Sequence, residues 1–133
     1  QGILAGRWNA IEEIPEARRR TRHFSKERPG TRHGQPGCEE LLMQTLKDLD
    51  ALCKQIGQPM ARVAIAWLMR QAGVASVLVG GRTKSQLERN LSAAGLALGD
   101  DVLERLNTIT EPLKQRLGTN PDMWCGETER RIY

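Results

Sequence analysis

Aromatic side chains are scarce in this 133-residue sequence, at 4%, so any hydrophobic core must be largely aliphatic. The three cysteines, Cys38, Cys53 and Cys125, are widely spaced, and no pair has the spacing of a metal site. This usage fits a reducing cytoplasm. No apolar run is long enough to span a bilayer, and no signal peptide is visible. We therefore expect a cytoplasmic protein without a bound metal or a membrane partner.

Positive charge is in excess, with a formal net charge of +4. A basic balance can indicate a nucleic-acid partner. Much of the excess comes from one stretch of arginines: Arg18, Arg19, Arg20, Arg22, Arg28 and Arg32. For this run we favour a solvated loop or a phosphate contact over a polynucleotide site, and we expect no nucleic-acid partner.

The spacing of apolar residues predicts the order of elements. Apolar residues at steps of three and four predict amphipathic helices, and a short apolar run between glycines predicts a buried strand of a parallel sheet. The predicted elements are a loop at 1–37 that begins with the stub of a strand, two helices within 39–72, a strand at 75–79, helices at 84–94 and 100–110, and a tail at 111–133.

This order indicates an α/β fold that is mostly helical here. One complete strand and one stub cannot form a stable sheet, because their edges and apolar faces would stay open. We therefore expect either a piece of a larger domain or a partner, including a second copy of the chain, that covers the open edges.

The segment after the predicted strand carries the most chemical information. A helix N-terminus binds phosphate through free backbone N–H groups, and Thr83 is a suitable N-cap. Gly80 and Gly81 let the backbone approach a ligand, and Arg82 can bind phosphate with two hydrogen bonds. The pattern predicts a nucleotide-phosphate site, although an ordinary strand-to-helix turn explains it about equally well.

Several blocks of the sequence resemble the aldo-keto reductases, above all the bacterial members and the related potassium-channel β-subunits. The opening Gly2-Ile3-Leu4-Ala5-Gly6 resembles the loop after their seventh barrel strand. The other blocks are Ala64-Ile65-Ala66-Trp67-Leu68, Gly73-Val74, Ser76-Val77-Leu78-Val79-Gly80, Gln86-Leu87-Glu88 and Asn90-Leu91-Ser92-Ala93.

The resemblance implies that residues 1–133 are the C-terminal part of one TIM (β/α)₈ barrel domain, with its eighth strand at 75–79 and its eighth helix at 84–94. It also implies an NADP-dependent oxidoreductase that reduces aldehydes or ketones to alcohols, with a small carbonyl substrate in the complete protein. A cation at Arg82 favours NADP over NAD, since the extra phosphate must be neutralised.

The family's cofactor contacts can be carried over onto three groups of positions. The first loop would follow the pyrophosphate, the glycine turn would surround the 2′-phosphate, and the helix face would contact the adenine. The implied set is Gly2, Leu4, Gly6, Gly80, Gly81, Arg82, Thr83, Gln86, Arg89 and Asn90. Arg89 departs from the family, which often has Glu there, and this removes an acceptor for the adenine amino group while adding a cation.

The family's chemistry uses a Tyr proton donor with Lys, Asp and His on earlier strands. Here the single tyrosine is Tyr133 at the terminus, and the histidines, His23 and His33, lie in the predicted loop. No residue matches the catalytic positions, so we assign no catalytic residue.

Two other classes of protein remain open. The first is a DNA-binding protein, because residues 52–57 followed by Val63 have the spacing of a helix-turn-helix. However, Arg62 is the only polar residue between Met60 and Met69, and so apolar a helix suits a protein core better than a DNA groove. The chain could also be an interaction or regulatory module without catalysis, since its predicted edges are open.

Overall fold

A computed structural model describes residues 2–126, which form two compact units. The loop unit comprises Trp8–Lys47 and the described residues from Ile109 onward, and the helical unit comprises Gly2–Arg7 and Asp48–Thr108. The described chain is mostly helical, as predicted. Its α-helices are α1 (Glu39–Gln55), α2 (Met60–Met69), α3 (Lys84–Leu91) and α4 (Asp100–Leu117).

Helix α1 follows directly from its apolar spacing. Leu42, Leu46 and Leu49 are separated by four and three residues, and all three are buried. Two glutamates occupy the first turn, where negative charge favours the helix dipole. The helix is followed by Gly57 at φ +64°, a left-handed conformation that side chains with a Cβ rarely adopt.

Helix α2 buries one face, although its apolar residues lie nearly all round it and would suit a helix that is buried on every side. Met60, Val63 and Ala66 are buried at three-residue steps, whereas Leu68 and Met69 are exposed. Because Val63 is 1% exposed, it cannot reach a base edge, which counts against the helix-turn-helix alternative.

The predicted strand at 75–79 is not formed, and neither is the stub at the N-terminus. Residues 74–81 have no regular structure, and Leu78 is 97% exposed. Ile3–Ala5 instead forms a turn of 3₁₀-helix. The physical reason is that a strand needs a neighbour to pair with its N–H and C=O groups, and residues 2–126 contain no strand.

The last two helices differ from their predicted bounds. Helix α3 ends at Leu91 and continues as 3₁₀-helix at Ser92–Gly95. Helix α4 runs to Leu117, through part of the predicted tail and past Pro112. Its last turns are largely solvated and contain polar pairs, such as Gln115 Nε2 donating to Glu111 Oε1 at 3.2 Å, so they have no apolar stripe that periodicity could detect.

The loop preceding α1 is an ordered part of the loop unit. It contains short 3₁₀ turns at Ile11–Glu13 and Glu16–Arg18, and Ile14 and Phe24 are fully buried. A Cβ at Gly37 would lie 2.4 Å from the carbonyl carbon of Phe24, so the chain needs glycine at this position. No helix within residues 2–126 has both the length and the apolarity to cross a membrane.

Arg22 belongs to the arginine-rich stretch, for which we favoured a solvated loop, but its side chain is buried. The prediction is therefore wrong for this residue. Its guanidinium donates to Gln35 Oε1 at 3.0 Å, to the carbonyl of Asn120 at 2.9 Å and to the carbonyl of Leu117. Since Leu117 is the last residue of α4, the arginine satisfies a carbonyl that the helix leaves without an internal partner.

We predict that Arg22→Ala lowers the free energy of unfolding by about 2–3 kcal/mol, because it leaves buried acceptors without their donor. Arg70→Ala is the matched control, since Arg70 is exposed and should change stability by less than about 0.5 kcal/mol. Urea denaturation of both variants measures the difference. Equal stability of the two variants would show that Arg22 is dispensable.

Candidate functional site

The start of α3 is a capped helix N-terminus. Thr83 has extended backbone, and its side chain accepts a hydrogen bond from the Gln86 N–H at 3.2 Å, which confirms the predicted N-cap. The Leu87 N–H donates to the carbonyl of Thr83 at 3.1 Å, as the first intrahelical bond. The N–H groups of Lys84 and Ser85 precede that bond, so helix geometry gives them no intrahelical acceptor.

The turn before Thr83 is attached to α3 by two side-chain amides. The Arg82 N–H donates to Gln86 Oε1 at 2.8 Å, and Asn90 Nδ2 donates to the carbonyl of Gly80 at 3.0 Å. A Cβ on Gly81 would lie 3.2 Å from the Leu87 nitrogen, tighter than ordinary van der Waals contact. The glycine therefore allows the turn to lie against the first turn of the helix.

Charge and space at this turn suit an anion. Arg82 is exposed, and a Cβ added to Gly80 would meet nothing within 4 Å. Lys84 Nζ lies 3.7 Å from Glu88 Oε1, so part of its charge is compensated within the helix. An exposed arginine that directly precedes a helix N-terminus, where the first amides have no intrahelical acceptor, is a combination that suits phosphate.

The structure places the first predicted segment against α2. Gly2 and Gly6 take left-handed backbone at φ +74° and +65°, and the 3₁₀ turn between them contacts α2. Helix α2 also contacts α3. Gly2, Leu4 and Gly6 are exposed. Both predicted cofactor segments thus pack on the same helix, and their joint contact with one ligand stays a prediction.

A profile of the Aldo/keto reductase family matches residues 2–111, which include both of these segments. The chain belongs to the aldo-keto reductase family. This confirms the resemblance drawn from the sequence, and it explains why the residues after 74 have the apolar pattern of a barrel strand although no strand forms here.

Curated relatives support the assignment. This aldo-keto reductase chain is 35% identical over 115 residues to an L-glyceraldehyde 3-phosphate reductase of Escherichia coli O157:H7, covering 86% of this chain and 29% of the relative. The enzyme of the same name from strain K12 is 34% identical over 93 residues, covering 70% of this chain and 25% of the relative. An uncharacterized oxidoreductase of Bacillus subtilis, YrpG, is 33% identical over 64 residues, covering 48% of this chain and 20% of the relative. The chain therefore spans less than a third of these relatives.

Burial shifts the pKa values of several titratable groups among the described residues of the loop unit. Burial, together with the charge of Arg22, lowers the pKa of His23 to about 4 and also lowers the pKa of His33. Burial raises the pKa of the Cys38 thiol. Within residues 2–126, no three His, Cys, Asp or Glu side chains are grouped to hold a metal. Tyr133 lies outside the described residues.

One feature of the site was not predicted from the sequence. Gln86 and Asn90 bond to the turn, whereas we expected both amides to face a base. The Thr83–Gln86 spacing of a capping box signalled the first of these bonds, although here the glutamine accepts from Arg82 N–H and not from the N-cap itself. Arg89, predicted from the resemblance as a cofactor-binding residue, is exposed, and its contact with the cofactor stays a prediction.

We predict that stability falls as pH drops from about 6.5 toward 4. His23 has a lower pKa in the folded state than its ordinary value of 6.5, so the unfolded chain binds the proton more readily. The loss from His23 between pH 7 and pH 5 is about 2 kcal/mol. Urea midpoints of the wild type and of His23→Gln at both pH values measure it.

The variant should lose most of this pH dependence and retain only the contribution of His33. The pKa of the Glu39 carboxyl is lowered by the bidentate Arg28 hydrogen bonds, so its contribution to stability is lost mainly below its ordinary pKa of 4.5 and changes little between pH 7 and pH 5. Unchanged pH dependence in His23→Gln would contradict the assignment.

Proposed function

We propose that this chain contributes the phosphate-binding end of the NADP site in an oxidoreductase that reduces aldehydes or ketones to alcohols. The observation that carries the proposal is that an exposed arginine, Arg82, directly precedes Thr83, the N-cap of α3. NADPH, when bound, supplies the hydride for such a reduction. The residues described here bind and orient the cofactor.

Specific roles follow from the chemistry of each group. Arg82 would neutralise the 2′-phosphate, while Gly81 and Thr83 let that phosphate approach the backbone. The left-handed Gly2 and Gly6, with Leu4 between them, would lie along the pyrophosphate. Because the extra phosphate distinguishes NADP from NAD, Arg82 makes NADP the preferred cofactor. Arg89 would add a second, weaker cation at the outer edge of the site.

The substrate class comes from the relatives. The two Escherichia coli proteins are reductases of L-glyceraldehyde 3-phosphate by name, so we propose a small aldehyde as the substrate of the complete enzyme. No residue in this chain matches the family's catalytic positions, so we place the proton donor and its assisting groups on the part of the barrel that precedes these segments. The three free cysteines fit a cytoplasmic location.

A second proposal concerns the apolar face beside residues 74–79. Leu78, Val79 and Leu91 are exposed, at 97%, 37% and 61%. Val79 and Leu91 line a groove together with Ile65 and Met69 of α2, and Leu78 directly precedes Val79 in the chain. Apolar surface next to unpaired extended backbone suits a neighbouring strand, so we propose that other strands of a (β/α)₈ barrel cover it.

Binding of 2′,5′-ADP and 5′-AMP, which are fragments of NADP and NAD, tests the proposed cofactor site on the 133-residue chain itself. We predict that Arg82→Ala weakens 2′,5′-ADP by about 10-fold or more, the effect of losing a charge-assisted hydrogen bond, and leaves 5′-AMP nearly unchanged. Isothermal titration calorimetry measures both. Arg105→Ala is the control, because Arg105 is exposed in the same unit and bonds to Gln55. Equal losses for both nucleotides would count against a 2′-phosphate contact.

Self-association tests the apolar face. We predict that the chain alone associates as its concentration rises, and that Leu78→Lys keeps it monomeric by adding charge to the exposed face. Thr108→Lys adds the same charge at an exposed position of α4 and should leave the association unchanged. Multi-angle light scattering after gel filtration gives the masses. A discrete dimer would assign the face to a second copy, and a monomer at all concentrations would contradict the proposal.

A further inference from the structure

We infer that the loop unit binds a small oxyanion, a carboxylate or a phosphate group, in a cavity that Arg22 and Arg116 line together. All residues that line this cavity belong to the loop unit. None of them is among the cofactor positions that the family resemblance implies. The inference therefore goes beyond the cofactor site proposed at the turn before α3, and it does not depend on that site.

The cavity has a volume of about 290 Å³ and is lined by residues 35–38, Arg22, Arg116 and Leu117. A water molecule occupies about 30 Å³ in the liquid, so the space can hold an anion of a few heavy atoms together with some water. Its polar side chains are mainly donors. Besides the two guanidiniums there is Gln35, whose Oε1 accepts from Arg22 at 3.0 Å, so that its remaining polar group is the Nε2 donor.

The positive charge at the cavity is not balanced by carboxylates of the described chain. Among residues 2–126, neither Arg22 nor Arg116 forms an ion pair, and no carboxylate lines the cavity. The carbonyls of Leu117 and Asn120 accept from Arg22, but a helix C-terminus carries only about half an elementary negative charge. Two guanidiniums at one cavity therefore leave a net positive charge, which an anion would neutralise.

The two arginines have complementary properties for binding an anion. Arg22 is buried, and three of its five N–H groups donate to Gln35, Asn120 and Leu117, so two remain for a ligand. A guanidinium that is already fixed loses little conformational entropy on binding. Arg116 is exposed and can adjust to the anion. The planar fork of a guanidinium matches the oxygen atoms of a carboxylate or a phosphate.

The charge of Arg116 is felt inside the cavity, at the thiol of Cys38. Burial is the main influence on the pKa of this thiol and raises it. The charge of Arg116 is the next largest influence and lowers the pKa, ahead of the opposite effect of Glu39. Glu39 borders a neighbouring cavity and is already paired with Arg28. Cys38 is therefore a reporter of the field in the cavity, and it is not needed as a ligand.

Alkylation of Cys38 tests the site on the 133-residue chain. Iodoacetate and iodoacetamide react alike: the thiolate sulfur forms a bond to carbon while the C–I bond breaks and iodide leaves. Only iodoacetate carries a carboxylate, which the cavity should attract. We expect its rate relative to iodoacetamide to exceed the ratio for N-acetylcysteinamide, a neutral thiol, by roughly 3- to 10-fold. Peptide mass spectrometry separates Cys38, which is half-buried, from the buried Cys53 and Cys125.

Substitutions of Arg116 show whether its charge causes this preference. Arg116→Gln should lower the rate ratio by roughly 3-fold or more, whereas Arg116→Lys keeps the charge and should retain most of the ratio. A change in the thiol pKa alters both rates equally, so it cancels in the ratio. Arg105→Gln removes the same charge about three turns earlier on α4 and should leave the ratio unchanged. An unchanged ratio in Arg116→Gln would overturn the site.

Competition at constant ionic strength shows which oxyanion the cavity binds. Inorganic phosphate and acetate are the probes, with potassium chloride as the reference salt. Slower reaction of Cys38 with iodoacetate in phosphate alone identifies a phosphate site, and slower reaction in acetate, with or without an effect of phosphate, identifies a carboxylate site. Protection by neither would overturn the inference, even where the rate ratio is high. The cofactor site is tested separately, by 2′,5′-ADP binding to Arg82→Ala, so either proposal can fail alone.

Discussion

Pairing of backbone groups is the constraint on which the helical unit depends. A strand is stable only where a neighbouring strand pairs with its N–H and C=O groups, and residues 74–79 have no such neighbour within the described chain. Helices satisfy these groups internally, so the helical segments on both sides keep their form. The same constraint leaves Leu78 and Val79 exposed, although their sequence is that of a buried strand.

The turn that follows is ordered by a different set of contacts. Its hydrogen bonds come from α3: the Thr83 cap, the Gln86 oxygen on Arg82 N–H and the Asn90 amide on the Gly80 carbonyl. A sheet is not required for any of these. This is why the turn and the capped start of α3 are formed in a chain without a strand among its described residues, and why the proposed phosphate site can be tested on this chain.

Local interactions were predictable from the sequence, and long-range ones were not. Periodicity located α1 and α2, and the Thr83–Gln86 spacing located the start of α3, because each depends on residues within one or two helical turns. The solvated end of α4 has no apolar stripe to reveal it. The burial of Arg22 depends on carbonyls at Leu117 and Asn120, far along the chain, so its charge alone suggested a surface position. The cofactor segments were predicted from the family resemblance and not from periodicity, and they stay a prediction.

The most direct test of the phosphate site is an NMR titration of the ¹⁵N-labelled chain with 2′,5′-ADP. We expect the largest shifts on the amides of Lys84 and Ser85 and on the Arg82 side-chain Nε–H, because these groups surround the proposed phosphate. Shifts confined to the arginines of the loop unit, such as Arg28 and Arg32, or no shifts at saturating nucleotide, would contradict it.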